Sequence, residues 1–363
     1  MDITVMERKC MMSNRIIDEK TMAAGYATPE GVPYAYWTEI DGDLADCAEP
    51  LASLIRESRL DFARGDESRV PLWSVPEGVD VFEDIAYADD ADRVRGHRLD
   101  LYLPHDAVLR GGHTMPVYVD VHGGGFVYGY KELNRNFCTR LAARGFAVFS
   151  VNYRPAPQTD FLGQLRDVLA ALAWIRDHRG SYPVASDGVW MTGDSAGGCL
   201  AFFAAAVESS PRLASMLDVT ASGVGVRGAA LVSGVYDLMP YVPYPDAEPV
   251  EPNAGQASIL NVLSDTFFDC LKGVDRRAVD VRSIVGSVEL PPLFLNTSSD
   301  DFIQAETLRL AALLAETQTD FELHDWKTRK GETLGHVFPV CMSWLDESGR
   351  TLDLIRDFTY ARL

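Results

Sequence analysis

The chain has 363 residues, 47% apolar and 24% charged, enough to bury a sizeable core without a metal or disulfide staple. Its formal net charge of −20 argues against nucleic acid and anionic membrane surfaces as partners, because both call for basic patches. The six cysteines, at 10, 47, 138, 199, 270 and 341, form no C-x-x-C pair and no Cys/His cluster at zinc spacing, so free thiols in a reducing cytoplasm are expected.

Along the chain, the first 20 residues carry charges throughout and no apolar h-region, unlike a signal peptide. No stretch of about 18 apolar residues follows, so no membrane-spanning helix is expected. "DLADCAEPLASLIRESRLDFA" (44–64) has apolar residues at helical spacing and is expected to be an amphipathic helix. Residues 1–75 are accordingly assigned to an N-terminal helical segment that contributes to a cap. Residues 76–363 are assigned to the catalytic domain. "VFEDIAY" and "HRLDLYL" alternate apolar and polar like an opening antiparallel pair. From "MPVYVDV" onward, strands and helices alternate to the helical tail "TLDLIRDFTYARL", which implies a mostly parallel sheet covered by helices on both faces.

"MPVYVDV" runs straight into "HGGGF" (122–126). Glycine packs nothing and costs backbone entropy, so three in a row point to a place where bare main chain has a task. The G-x-x-x-x-G-K-[ST] and G-x-G-x-x-G phosphate patterns are absent from this stretch. The task that fits is a set of N–H groups aimed at an oxyanion, from the Gly123, Gly124 and Gly125 segment together with Ala196. The His122 ring is expected to brace the loop through hydrogen bonds to main chain.

"VWMTGDSAGG" holds G-x-S-x-G at 193–197 in the strand–turn–helix setting the motif needs, which makes Ser195 the candidate nucleophile. Farther on, residues 236–288 interrupt the alternation. They carry five prolines within 240–252 and then the apolar run "ILNVL…FF", which needs something to pack on. This excursion is expected to supply the rest of the cap and to close over Ser195 with the N-terminal helix. Tyr241 and Tyr244 would face substrate, joined by Phe126 and Asp194 from the two motifs.

A serine hydroxyl needs a base, itself oriented by an acid. Of seven histidines, only His324 and His336 lie after the serine and outside its neighbouring helices. His324 sits within the strand "DFELHDW", whereas His336 follows that strand on a loop and is taken as the base. "LFLNTSSDDFI" ends a core strand with Asp300 and Asp301, and either could point inward; Asp301 is taken as the acid.

These pieces, in this order, resemble the hormone-sensitive-lipase-type carboxylesterases of the α/β-hydrolase superfamily. The resemblance covers about residues 80–340. "HGGGF" is similar to the family's oxyanion motif, "VNYRPAP" to its Tyr-Arg-Leu-Ala-Pro segment, "GDSAGG" to its nucleophile elbow, and "SSDDFI" and "GHVF" to its acid and base segments. Pro155, Gln158 and Phe302 depart from the family's usual Leu, Glu and Pro. The resemblance implies an α/β-hydrolase fold, an acid at Asp301, and a cap built partly from N-terminal helices. It also implies a serine carboxylesterase with no metal or organic cofactor, and the candidate cap, which mixes Pro, Tyr, Asp and Glu without a broad apolar face, points to small, soluble, short-acyl or aryl esters rather than emulsified triglyceride. An amidase or formamidase with the same triad is the alternative; a ligand receptor on a dead hydrolase fold is disfavoured by His336. Assembly as a homo-oligomer stays open.

Overall fold

The computed structural model describes residues 40–106, 115–185, 187–244, 260 and 263–363. The residues before 40 and the middle of the excursion, 245–259, lie outside the described residues.

Eight strands form one sheet in the order β1-β2-β4-β3-β5-β6-β7-β8. They are β1 (Val79–Ala86), β2 (Arg98–Pro104), β3 (Val117–Val121), β4 (Ala147–Val151), β5 (Val189–Asp194), β6 (Val226–Val232), β7 (Leu293–Ser298) and β8 (Phe321–Trp326). β1 pairs with β2, and β2 with β4, in antiparallel fashion; all other pairings are parallel. β3, β4 and β5 are buried at every position, so they read as continuous apolar runs, while edge strand β1 mixes buried and exposed residues.

Period-two alternation sorts the central side chains onto two faces. Tyr118, Val148, Trp190 and Phe294 meet helices α2 (Arg135–Ala142) and α9 (Asp346–Tyr360) on one side. Val119, Phe149, Met191 and Leu295 share the larger core with α3 (Phe161–His178), α4 (Ala196–Ser209) and α7 (Gln304–Glu316) on the other. α4 is buried from Ala196 to Val207, which explains its small and apolar sequence "AGGCLAFFAAAV". Three short helices lie elsewhere among the described residues: α5 (Pro211–Met216), α6 (Val281–Ser287) and α8 (Phe338–Cys341). No helix among the described residues is long and apolar enough to cross a membrane.

The register places the site. Val121 pairs with Gly193, Asp194 with Val232, Val232 with Asn296, and Ser298 with Trp326. The carboxyl ends of β3, β5, β7 and β8 therefore open onto one rim of the sheet. There the chain delivers the glycine loop, Ser195, Asp301 and, after β8, His336.

The N-terminal helix differs from the sequence expectation of 44–64. α1 spans Leu51–Arg69. Residues 41–47 form turns instead, with the amide of Leu44 bonded to Asp41 and that of Cys47 to Leu44. Pro50 sets the start because its ring and missing N–H are tolerated only at a helix's beginning. Pro71 closes the other end within a single tight turn.

Arg59, midway along α1, is wholly buried. Its guanidinium donates to the carbonyls of Val127 (2.8 Å), Ile40 (3.1 Å) and Ala156 (2.9 Å) and holds the Asp43 carboxylate at 2.6 and 2.9 Å. One side chain thus ties α1 to the loop just behind the glycines. The apolar part of the excursion also finds its partners. Phe267 and Phe268 pack on Phe126 at 5.1 and 5.8 Å between ring centroids, and on Phe161 at 6.2 and 6.0 Å.

Tyr241 and Tyr244 overturn an expectation. Both are buried in the main core and line no part of the cavity over Ser195. Tyr241 stacks on Phe268 (5.9 Å), and Arg276 lies over the Tyr244 ring (4.3 Å). Burying an aromatic ring is strongly favourable, and a polar, proline-rich neighbourhood did not reveal that these two turn inward. Tyr241→Ala is therefore expected to cost about 3 kcal/mol of stability by leaving a cavity. A denaturant melt checks this, and acyl-chain selectivity should stay as it was.

Candidate active site

Ser195 stands between β5 and α4 with φ 52 and ψ −120, a conformation that costs a non-glycine residue roughly 1–3 kcal/mol. The flanking glycines make the turn possible. A Cβ on Gly193 would come within 2.5 Å of the Gly197 carbonyl oxygen, and one on Gly197 would overlap the carbonyls of Val121 and His122. The Ser195 amide donates to the Val232 carbonyl (3.0 Å), which fixes the turn against the neighbouring strand.

His336 lies on the loop after β8, between Gly335 (φ 71) and Val337 (φ 49). Its Nδ1 is 2.9 Å from Oδ1 of Asp301. That carboxylate also accepts from the Ile303 amide (3.0 Å) and the Thr297 hydroxyl (3.2 Å). Burial alone would raise the Asp301 carboxyl. The hydrogen bond and charge of His336, helped by Ser233 and the Ile303 amide, outweigh it and hold the group below the usual carboxylate range. Nδ1 is thereby held as a donor to Asp301, and Nε2 is left for chemistry. Phe302, half exposed, packs against the His336 ring at 4.5 Å between centroids.

Asp300 has a different task. It accepts from the Ser298 hydroxyl (2.9 Å), the Thr333 hydroxyl (2.7 Å) and the amides of Leu334 (3.0 Å) and Gly335 (3.1 Å). Those bonds outweigh its partial burial and keep its pKa low. The two neighbouring acids divide the work: Asp301 holds the histidine ring, and Asp300 holds the backbone that carries it. Asp300→Asn is expected to lower kcat about tenfold to a hundredfold with little change in KM, because a looser loop misplaces the base. Steady-state kinetics read that split.

The glycine loop is built from both motifs. The His122 ring is fully buried, stacks on Tyr153 at 4.3 Å and places Nδ1 2.8 Å from the Gly123 carbonyl. Burial pushes its pKa down to about 4, so the ring is neutral and structural. The Tyr153 hydroxyl donates to the His122 carbonyl (2.9 Å). Gly124 adopts φ 111, where a Cβ would overlap the Tyr128 carbonyl, and Gly125 adopts φ 59.

Two expectations change here. The Gly123 amide donates to Oδ1 of Asp194 (3.0 Å), so it is committed and is not an oxyanion donor. Asp194 in turn is not a group held out to substrate. It is buried at the cavity's edge, and Oδ1 also accepts from the Asn134 amide side chain (2.8 Å). Burial raises its pKa against the pull of those bonds. Asp194 braces the glycine loop against the nucleophile turn. The amides of Gly124 and Gly125 make no hydrogen bond among the described residues. The Ala196 amide opens α4 and has no intrahelical acceptor.

Ser195, His336, Gly124, Gly125 and Ala196 all line one cavity of about 490 Å³, and Phe126 forms part of its wall. α1 lines it as well, through Phe62, Asp66 and Arg69 among others. Sequence reasoning expected a helix here but named none of its residues. The signal was available, since positions 58, 61, 62, 65, 66 and 69 recur at helical spacing.

Residues 118–338 match a family model described as "alpha/beta hydrolase fold". Among curated relatives, "Lipase 2" of Moraxella sp. (strain TA144) is 44% identical over 81 residues, 22% of this chain and 19% of that protein. "Probable carboxylic ester hydrolase LipM" of Mycobacterium tuberculosis is 31% identical over 156 residues, 43% of this chain and 35% of that protein. The chain thus spans about a fifth to a third of the length of these relatives. Among solved structures, Esterase B from Lactobacillus rhamnosis superposes with a TM-score of 0.73 at 29% identity, covering 86% of this chain and 95% of that one. The same esterase inhibited by a tributyrin phosphonate gives a TM-score of 0.72 at 28% identity, covering 86% of this chain and 95% of that one.

Proposed function

The chain belongs to the alpha/beta-hydrolase fold family, and on that premise we propose that it is a serine carboxylesterase acting on small, soluble, short-acyl or aryl esters. The observation that carries this reading is the cavity lined by a strained Ser195, by His336, whose Nδ1 lies 2.9 Å from Asp301, and by Gly124 and Gly125, whose amides are unpaired among the described residues.

In the proposed mechanism, Nε2 of His336 takes the Ser195 proton as Oγ attacks the ester carbonyl carbon. The carbonyl oxygen becomes an anion and is met by the amides of Gly124, Gly125 and Ala196, the last aided by the positive end of α4. Asp301 stabilises the imidazolium without taking its proton. Collapse passes that proton to the departing alkoxide and leaves an acyl-serine. A water molecule, deprotonated by the same histidine, then releases the acid and restores the hydroxyl.

The cap favours soluble substrates. Interfacial binding scales with exposed apolar area, and α1 turns Ser58, Asp61, Asp66 and Arg69 towards the cavity. The test is a hydrolysis screen over p-nitrophenyl esters of increasing acyl length, hydroxycinnamate esters and emulsified triglyceride, with Ser195→Ala as the blank. Rates should be greatest on short or aryl esters. A rate that climbs towards the longest chains, or jumps on emulsification, would overturn the reading.

A further inference from the structure

The cavity lining is of two kinds. Phe126, Leu133, Val235, Leu260, Ile303 and Val340 make one part hydrocarbon. The other is a single face of α1, formed by Ser58, Asp61, Phe62, Gly65, Asp66 and Arg69, whose spacing of three and four residues stacks them along the helix. A helix roofing a purely hydrocarbon substrate would present Leu, Val or Phe there. This one presents one aromatic among hydroxyl, carboxylate and guanidinium groups.

Its charges come in compensated pairs. Arg64 lies 3.2 Å from Asp61, and Arg69 lies 3.3 Å from Asp66. Asp66 is buried and also accepts the Tyr128 hydroxyl at 2.6 Å. An anionic substrate group would meet two aspartates, and a cationic one would meet Arg69, while Arg64 pairs with Asp61 from outside the lining. A neutral hydroxyl suits both, since it donates to a carboxylate and accepts from a guanidinium.

Gly65 adds an independent observation. It sits inside α1, where glycine costs about 0.5–1 kcal/mol relative to alanine. A Cβ there would meet no atom within 4 Å, so no close approach of the protein to itself demands it. Yet it lines the cavity, and a bare backbone at that point leaves room for a bulky, polar substrate group.

We propose that this face of α1 receives the hydroxyl-bearing alcohol half of the substrate, so that the preferred substrates are short-acyl esters of sugars or polyols. The apolar part then takes the acyl chain. The proposal rests on the ester-hydrolase reading and names its substrate class.

The test compares methyl 6-O-acetylglucoside with cyclohexylmethyl acetate, which has similar bulk and no hydroxyls, alongside p-nitrophenyl acetate. Wild-type kcat/KM should favour the sugar ester by about tenfold or more, the worth of one or two charge-assisted hydrogen bonds. Arg69→Met, which keeps the stem and removes the donors, should cut the sugar-to-cyclohexyl ratio by about tenfold. Gly65→Leu should cut it by filling the space. Because the ratio is taken within one preparation, a partly unfolded sample does not alter it. Equal rates on the two acetates in wild type, or a ratio unmoved by both substitutions, would overturn the proposal. Should p-nitrophenyl acetate itself show no Ser195-dependent hydrolysis, the ester-hydrolase reading fails first, and the proposal with it.

Discussion

Ser195→Ala should abolish turnover, with kcat falling on the order of 10⁶, the loss that follows removal of a triad serine. The neighbouring thiol, Cys341, is half-buried in the cavity wall, and desolvation pushes it up to about 12, far from the thiolate a nucleophile requires. The fold should be untouched, because the turn is set by Gly193, Gly197 and the Ser195 amide rather than by the hydroxyl. An organophosphate should label wild type at one site and leave the variant unlabelled. Labelling of Ser195→Ala would move the nucleophile elsewhere.

Asp301→Asn should cost about 10⁴ in kcat, far more than the same change at Asp300. The carboxylate oxygen 2.9 Å from Nδ1 can only accept, so it holds the proton on that nitrogen. An asparagine retains the shape but can turn its NH₂ towards Nδ1 and so favour the tautomer with the proton on Nε2. That tautomer cannot receive the serine proton. If Asp300→Asn proved the more damaging, the clamp on 333–335 would outrank the orienting acid and the division of labour between them would be reversed.

Much of this site was legible because its signals are local. The turn at 193–197 announces itself through two glycines that a Cβ would drive into neighbouring main chain. The acid and base follow as residues just past strand ends, and parallel register brings those ends together. What stayed hidden depends on distant pairings. Nothing near "HGGG" tells that the first glycine amide is taken by a carboxylate 71 residues on, leaving only the next two unpaired. Tyr241 and Tyr244 sit among prolines and acids, and their burial follows from where Phe268 and Arg276 arrive. The start of α1 was misjudged because apolar spacing continues back through 44–47, whereas the backbone obeys Pro50. The clamp by Asp300 could have been suspected, since two acids ending one strand seldom do the same work.

The buried guanidinium of Arg59 has a consequence for traffic. Lifting α1 would strip three carbonyls and one carboxylate of their donor at once and leave a charge stranded in the interior, a penalty of several kcal/mol. It would also pull on Val127, two residues past Gly125, and so disturb the amides proposed to meet the oxyanion. Over Ser195, α1 is therefore a fixed vault and not a swinging door. Substrate is accordingly expected to enter without α1 moving aside.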